Sequence, residues 1–250
     1  MTELFMENIR DRSIITGLYL STFNETALSQ LGFKSYQEAF NVLGFALGVK
    51  PSSIKNYRDE FDPLFPNDRK GWHKRPIRDY CKVIYDEFKN LDLTECSELI
   101  KSFFIKDYEV EKIVSATLKK DYSESVAKRL VTGKAAEEYF KTVYSKIDSF
   151  NAYNMLDTTN MACGFDYKLT NQHHFYCVEV KGLSELKGNI QLTEKEYFVA
   201  QNMRSNYCLF VVKNFKEKPI HEIIFDPLNS RLKFSEVKRE IIQLSYHSSL

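Results

Sequence analysis

Three ionisable residues in the second half of the chain have the types and spacing for joint chemistry. Asp166 lies in one β-rich run, and Glu179 and Lys181 stand two apart in the next. Strand alternation puts that Glu and Lys on the same face of a sheet. Asp166 is 13 positions upstream of Glu179 (179 − 166), a reasonable hairpin interval, and Gly182 ends the strand directly after Lys181. Adjacent acids, Glu137 and Glu138, sit in a helical stretch before both strands, so acids from three elements can converge. The chemistry that needs such a set is metal-assisted phosphodiester hydrolysis. Carboxylates hold Mg²⁺ through oxygen, and the metal stabilises charge on the scissile phosphate and helps to generate hydroxide. Lys181 would orient or deprotonate the attacking water and offset developing negative charge. An exposed ion pair on an edge strand would show the same Glu and Lys pattern.

Four β-rich runs must position these groups: Gly164 to Leu169, Phe175 to Val180, Tyr207 to Val212 and Ile220 to Phe225, the last followed by turn signals from Pro227 to Ser230. A helix over Ser123 to Asp148, interrupted at Gly133, is expected to pack on that sheet. Upstream, from Thr26 to about Ser145, the apolar spacing is helical, as in Ala39, Val42, Leu43, Ala46 and Leu47, then Ile84, Phe88 and Leu91, then Ile113, Val114 and Leu118. The fold class is therefore α+β, with a mainly helical domain over residues 1–115 and an α/β core with a mixed sheet over 116–250. Tyr139, Phe140 and Tyr144 read as a buried helix face, and Phe198 and Val237 as core.

At 250 residues with 43% apolar and 28% charged residues, disorder and fibrous repeats are excluded. A formal charge of +1 means that any nucleic-acid partner must be held by local patches rather than by the field of the whole protein. The cysteines, Cys81, Cys96, Cys163, Cys177 and Cys208, are odd in number and lack zinc-site spacing, so they read as reduced thiols. Charged residues run through positions 1–15, and no apolar run approaches the roughly 20 residues of a membrane span. The expectation is a soluble cytoplasmic protein without a membrane partner.

Two features of the first half suit DNA. Residues 36–61 hold an apolar helix, a break at Gly48 and a second helix opened by Pro51, with Ser52 or Ser53 as a possible N-cap. This is a helix-turn-helix pattern: Ala46, Leu47, Val49, Ile54 and Tyr57 can pack the pair. Ser52, Ser53, Lys55, Asn56 and Arg58 remain outward, where base edges and phosphates are met in the major groove. Just downstream, Arg69, Lys70, Lys74, Arg75, Arg78 and Lys82 face only Asp79, a local charge of +5 (6 − 1), with Trp72 and His73 interleaved. Such a cluster neutralises phosphates with salt-dependent affinity. An αα-hairpin with a solvated basic loop would look the same in sequence.

Asp166 followed by Glu179-Val180-Lys181 resembles the signature of the PD-(D/E)xK nuclease superfamily. With its neighbours, Gly133 to Glu137, Gly164 to Asp166, Tyr176 to Gly182, Ile190 to Ala200 and Tyr207 to Phe215, the stretch of roughly 125–230 is similar to the C-terminal domain of the plant NO VEIN proteins and of many bacterial restriction-system proteins. The resemblance implies a restriction-endonuclease-like core. It makes Asp166 and Glu179 metal ligands, Lys181 the catalytic lysine, and Glu137 the acid that contacts the metal or its water, with Glu138 in reserve. It also implies Mg²⁺, with Mn²⁺ able to substitute. Phe165 stands where the superfamily name has proline. Gln191, Thr193 and Glu196 follow the catalytic strand, to contact DNA or, for Thr193 with Glu196, to cap the next helix. His173 and His174 fall in the turn between two strands, where polar residues are expected.

Joined, the two halves read as a sequence-specific endonuclease of the restriction type, bacterial or phage-encoded. Cutting both strands needs two active sites, so a homodimer on double-stranded DNA is the economical form. A stand-alone enzyme would need a cognate DNA methyltransferase to protect the same site, whereas a modification-dependent one would recognise a modified base and need none. The rivals are a DNA-binding regulatory protein with a catalytically silent nuclease-like domain, and an RNA-directed nuclease.

Overall fold

The computed structural model describes residues 8–69, 71, 75–104 and 120–237, and its fold is α+β. Helices α1 (Ile9–Gln30), α2 (Tyr36–Ala46), α3 (Pro51–Phe61), α4 (Asp79–Phe88) and α5 (Leu93–Ser102) form the first part. Helix α6 (Lys120–Val143) follows, then strands β1 (Asn154–Asp157), β2 (Tyr167–Thr170) and β3 (Phe175–Gly182), helix α7 (Glu194–Met203), and strands β4 (Tyr207–Lys213) and β5 (Ile220–Phe225). The division expected at residue 115 falls among residues 105–119, outside the described residues, as do Ile113, Val114 and Leu118.

Helix α1 buries Ile14, Ile15, Leu18, Tyr19 and Leu20 together with Ser13, Thr16 and Ser21, so it is enclosed on most sides. Its small hydroxyls turn back onto the helix or onto neighbours: Ser13 Oγ donates to Ile9 O at 2.7 Å and Thr16 Oγ1 to Arg12 O at 2.7 Å. Gly17 lets α3 approach, since a Cβ there would lie 2.5 Å from Tyr57 Cβ. Helices α2 and α3 are joined by a tight turn in which Gly48 adopts φ +70°. Ser35 caps α2 by accepting from Glu38 N. Helix α3 starts with Pro51 at its first turn and Lys50 at the N-cap, so neither Ser52 nor Ser53 caps it.

The five strands form one mixed sheet in the order β1-β2-β3-β4-β5. The β1/β2, β2/β3 and β4/β5 pairs are antiparallel, and β3/β4 is parallel, with α7 in the crossover between them. Helix α6 runs unbroken through Gly133 and covers one face. Its fully buried Phe140 ring meets Tyr167 at 5.0 Å and Phe210 at 4.8 Å, with Phe150 alongside. The opposite face carries Cys177 and Tyr207 under Ala200 of α7, and Leu209, Val211 and Ile224 under Leu183, Ile190 and Leu192. Phe198 and Val237 do not join a core; they are 53% and 71% exposed.

The helical part adheres to the sheet through α2. Asn41 Nδ2 donates to the carbonyls of Phe215 and Glu217 at 2.8 and 2.6 Å, and Phe45 packs against Tyr139 and Phe215. Glu38, fully buried, pairs with Lys128 of α6 at 2.7 Å and accepts from Lys34 N at 2.9 Å. Burial alone would raise its pKa, but these partners outweigh that and hold it below the usual carboxylate range.

Candidate active site

Strand β3 is two-faced in the way its sequence alternates. Val178 and Val180 go under α6, whereas Cys177, Glu179 and Lys181 face α7. Asp166 directly precedes β2. Its N–H donates to Val178 O at 3.0 Å, extending the ladder in which Tyr167 opposes Val178, and so it is set beside Glu179. Asp166 Oδ2 accepts from Val180 N at 2.9 Å, which fixes the carboxyl against the β3 backbone.

Two glycines permit this assembly. Gly164, at φ +89°, would drive a Cβ to within 2.7 Å of Val199 Cγ2, so only glycine lets the segment before Asp166 lie against α7. Tyr207 Oη, deep in the α7 face, donates to Gly164 O at 3.0 Å and holds that approach. At Gly182 a Cβ would lie 2.7 Å from Thr132 O, so α6 crosses closely over the end of β3.

Lys181 Nζ donates to Glu179 Oε1 at 2.5 Å and to Glu196 Oε2 at 2.8 Å. Glu196 is also the N3 residue of the α7 capping box: Thr193 N donates to Glu196 Oε2 at 3.0 Å, and Glu196 N donates to Thr193 Oγ1 at 3.3 Å. The sequence reading of Thr193 as an N-cap is therefore what the structure has. The reach of Glu196 onto Lys181 was not legible, because the eleven residues between β3 and α7 have no regular structure to relate them.

The electrostatics around Asp166, Glu179 and Lys181 are lopsided. Burial raises the pKa of Asp166, and Glu137 and Glu196 add to that rise against the opposing Val180 N–H and Lys181. Burial raises Glu179 too, followed by repulsion from Asp166. Lys181 is pulled down by burial, but Glu179 and Glu196 more than compensate and keep it an ammonium. Two carboxyls are thus held where their negative charge is poorly compensated, which is how a cation site is made attractive.

Glu137 comes within electrostatic range of Asp166, yet its carboxylate is bound to Lys134 at 3.0 Å. Glu138 lies further round α6 on Lys134 and Lys141, so the helix register favours Glu137. The expected three-acid metal set is not gathered: among the described residues, no three His, Cys, Asp or Glu groups are close enough together to hold a metal ion. Asp166 and Glu179 are the pair the fold brings together. Their chemistry still fits Mg²⁺, a hard cation that binds through one or two carboxylates and otherwise keeps water or substrate phosphate.

Residues 134–225 match a family described as Protein NO VEIN, C-terminal. The matched stretch runs from the second half of α6 to the end of β5 and contains Glu137, Asp166, Glu179, Lys181, Gln191 and Glu196. No curated protein and no solved structure matches the chain.

The residues expected to meet DNA are placed less uniformly. Ser52, Lys55, Asn56 and Gln191 are exposed and Ser53 is half-buried, with Lys55 bonded to Asp59 at 2.5 Å. Arg58, expected outward, is buried. It donates to Asp59, lies 3.5 Å from Asp62, and stacks over Tyr36 and Phe40. Arg69 forms a two-pronged pair with the fully buried Asp62, at 2.9 and 2.6 Å. Arg75 does the same with the buried Glu60, which also accepts from Arg78 N. The basic cluster therefore turns two of its arginines, Arg69 and Arg75, onto buried acids, while the Arg78 side chain stays exposed. The reason is geometric: the carboxylates on the last turn of α3 and just beyond it cannot be buried without partners, and the segment that follows supplies them. Lys70, Trp72, His73 and Lys74 lie outside the described residues. His173 and His174 sit in the β2–β3 turn, where both N–H groups donate to Asn171 Oδ1. Among the described residues, no helix is long and apolar enough to cross a membrane.

Proposed function

We propose that the chain is a divalent-metal-dependent, sequence-specific endonuclease that hydrolyses phosphodiester bonds in double-stranded DNA. The observation that carries this reading is the pairing of Asp166 with Glu179 in strand register, with Lys181 on the same face and both carboxyls raised by burial. Asp166 and Glu179 would hold Mg²⁺, or Mn²⁺ in its place. The metal, when bound, polarises the scissile phosphate and lowers the pKa of water. Lys181 contributes an ammonium beside the reacting phosphate, offsetting charge as water oxygen adds to phosphorus, a P–O bond breaks and the departing oxygen takes up a proton. Glu137 stands behind Asp166 to order water. Helix α3 offers Ser52, Lys55 and Asn56 to DNA, and Gln191 lies on the loop leading to α7. A homodimer supplies the second site for the second strand. A cognate methyltransferase would guard the host's copies of the target, in a bacterial or phage setting.

The DNA-binding regulator with a silent nuclease-like domain is favoured by one observation, the Lys181 ammonium lying directly on Glu179. Incubation of several plasmid and phage DNAs, methylated and unmethylated, with Mg²⁺ or Mn²⁺ separates the two, with Lys181→Ala as control. Fragments from wild type alone support the nuclease. Intact DNA throughout, with no calorimetric signal for metal, favours the regulator.

A further inference from the structure

We propose that Glu196 is a positioning residue that anchors the Lys181 ammonium independently of Glu179. The inference rests on the nuclease reading for its chemistry, but its geometry does not. Lys181 Nζ has two carboxylate partners, Glu179 Oε1 and Glu196 Oε2, on different elements. Glu179 has competing obligations, since it neighbours Asp166 and is the strand's own metal-ligand candidate. Glu196 stands off the strand on α7 and is not one of the two metal-ligand candidates. The same Oε2 that accepts from Lys181 also accepts from Thr193 N, so the side chain is restrained by the α7 cap before the lysine arrives. Helix α7 is itself seated: Ala200 packs on Cys177 and Tyr207, while Ile190 and Leu192 press the preceding loop onto Leu209 and Val211. The side chains of Lys181 and Glu196 are 22% and 16% exposed, so this pair is shielded more than a surface pair whose ends are free to drift.

A long, flexible lysine held by a single carboxylate that also faces a cation would lose its place when that carboxylate turned away. A second anchor on a rigid cap keeps the ammonium within reach of the phosphate. A misplacement of about 1 Å in such a group can cost about 100-fold in rate.

The test separates the anchor from the helix cap. In ¹H–¹⁵N spectra of lysine ammonium groups in the metal-free full chain, Lys181 should give a slowly exchanging signal, assigned by its loss in Lys181→Arg. That signal should survive Glu179→Gln and Thr193→Ala and be lost in Glu196→Gln. Persistence of the signal in Glu196→Gln, or its absence from wild type, overturns the proposal. On any DNA that wild type cleaves, Glu196→Gln should lower kcat by roughly 10- to 100-fold with KM unchanged, and Thr193→Ala should lower Tm with kcat within about 3-fold. Equal losses of kcat in the two variants would reduce Glu196 to a helix cap and also overturn the anchor. Should no DNA be cleaved, the nuclease reading fails while the ammonium spectra still decide the anchor.

Discussion

In the helical half, buried carboxylates are surrounded by donors: Asp62 accepts from Ser21 at 2.7 Å and from both prongs of Arg69, with Arg58 nearby, and Glu60 accepts from Arg75 and Arg78. On the α7 face of the sheet the ratio reverses. Glu179 and Glu196 share the ammonium of Lys181, and Asp166 feels it only at longer range. The pKa directions follow suit. For Asp59, burial pushes upward but Lys55 and Arg58 prevail and lower it, whereas Asp166 and Glu179 are left raised. Buried acid is therefore not by itself a mark of a site. A saturated cluster fixes the end of α3 to the segment after it, whereas an under-compensated one leaves buried carboxyls raised.

Removing the charges of the under-compensated cluster should give the largest effect. Asp166→Ala and Lys181→Ala are each expected to reduce cleavage by roughly 10²- to 10⁴-fold in single-turnover assays, with DNA binding nearly unchanged. Retention of wild-type rate by either variant would remove the distinction between the clusters.

In the saturated cluster the same kind of change should strike stability. Asp62→Ala leaves Arg69 and Arg58 facing a fully buried space without their acid, and a loss of about 3–5 kcal/mol is expected in denaturant titration. Glu179→Gln should do the opposite in the metal-free protein, raising stability by about 1 kcal/mol, because it removes an acid whose ionisation burial opposes. A Glu179→Gln variant less stable than wild type at neutral pH would show that Lys181 already compensates the site.

The pH dependence sharpens the same contrast. Asp166 and Glu179 have folded pKa values above their unfolded ones, so they favour the fold at acidic pH and oppose it progressively as pH rises from the ordinary carboxylate range through neutrality. Glu38 and Asp59 are lowered, so their contribution is present above that range and is lost as pH falls below it. Metal-free protein should therefore lose stability between about pH 5 and pH 8 through the site. Mg²⁺ should restore it. A denaturation midpoint that is flat over this interval in wild type, or equally sloped in the Asp166→Asn, Glu179→Gln double variant, would place the pH sensitivity elsewhere.

What was readable in sequence follows from periodicity. Strands β2 to β5 and helices α2 and α3 declared themselves, because each buries one face and shows alternation or a stripe. Helix α1 did not: its residues from Ser13 to Ser21 are all buried, polar and apolar alike, so no stripe exists to be read. Strand β1 is four residues long with three of them exposed, too brief and too polar to mark itself as an edge. At the site, Asp166, Glu179 and Lys181 were legible because two-residue spacing fixes a face. The partners of Arg58, Arg69 and Arg75 were not, since charge in sequence carries a sign but no direction. Asp62 and Glu60 were available upstream, and their place at the end of a helix with a buried apolar neighbour, Phe61, was the signal that the arginines would turn inward.

Helix α3 carries both an outward lysine and an inward arginine, and its lysine should show the smallest effect. Lys55 is 52% exposed on α3 and its pair with Asp59 is a surface contact, so Lys55→Ala should cost within about 0.5 kcal/mol of stability. If α3 meets DNA phosphates, the same change should reduce the slope of log K against log salt by about 1. Arg58→Ala, three residues further along the same helix, should leave that slope unaltered and lower stability instead, by roughly 2–4 kcal/mol, because its guanidinium is stacked on Tyr36 and Phe40 and bonded to Asp59. Measuring the salt slope and the denaturation midpoint on both variants places each arginine and lysine of the helical half either in the scaffold or on the DNA face. A change of slope from Arg58→Ala without loss of stability would mean that the stacked guanidinium swings out to meet phosphate, and that the saturated cluster is a reserve of DNA contacts rather than a fastening.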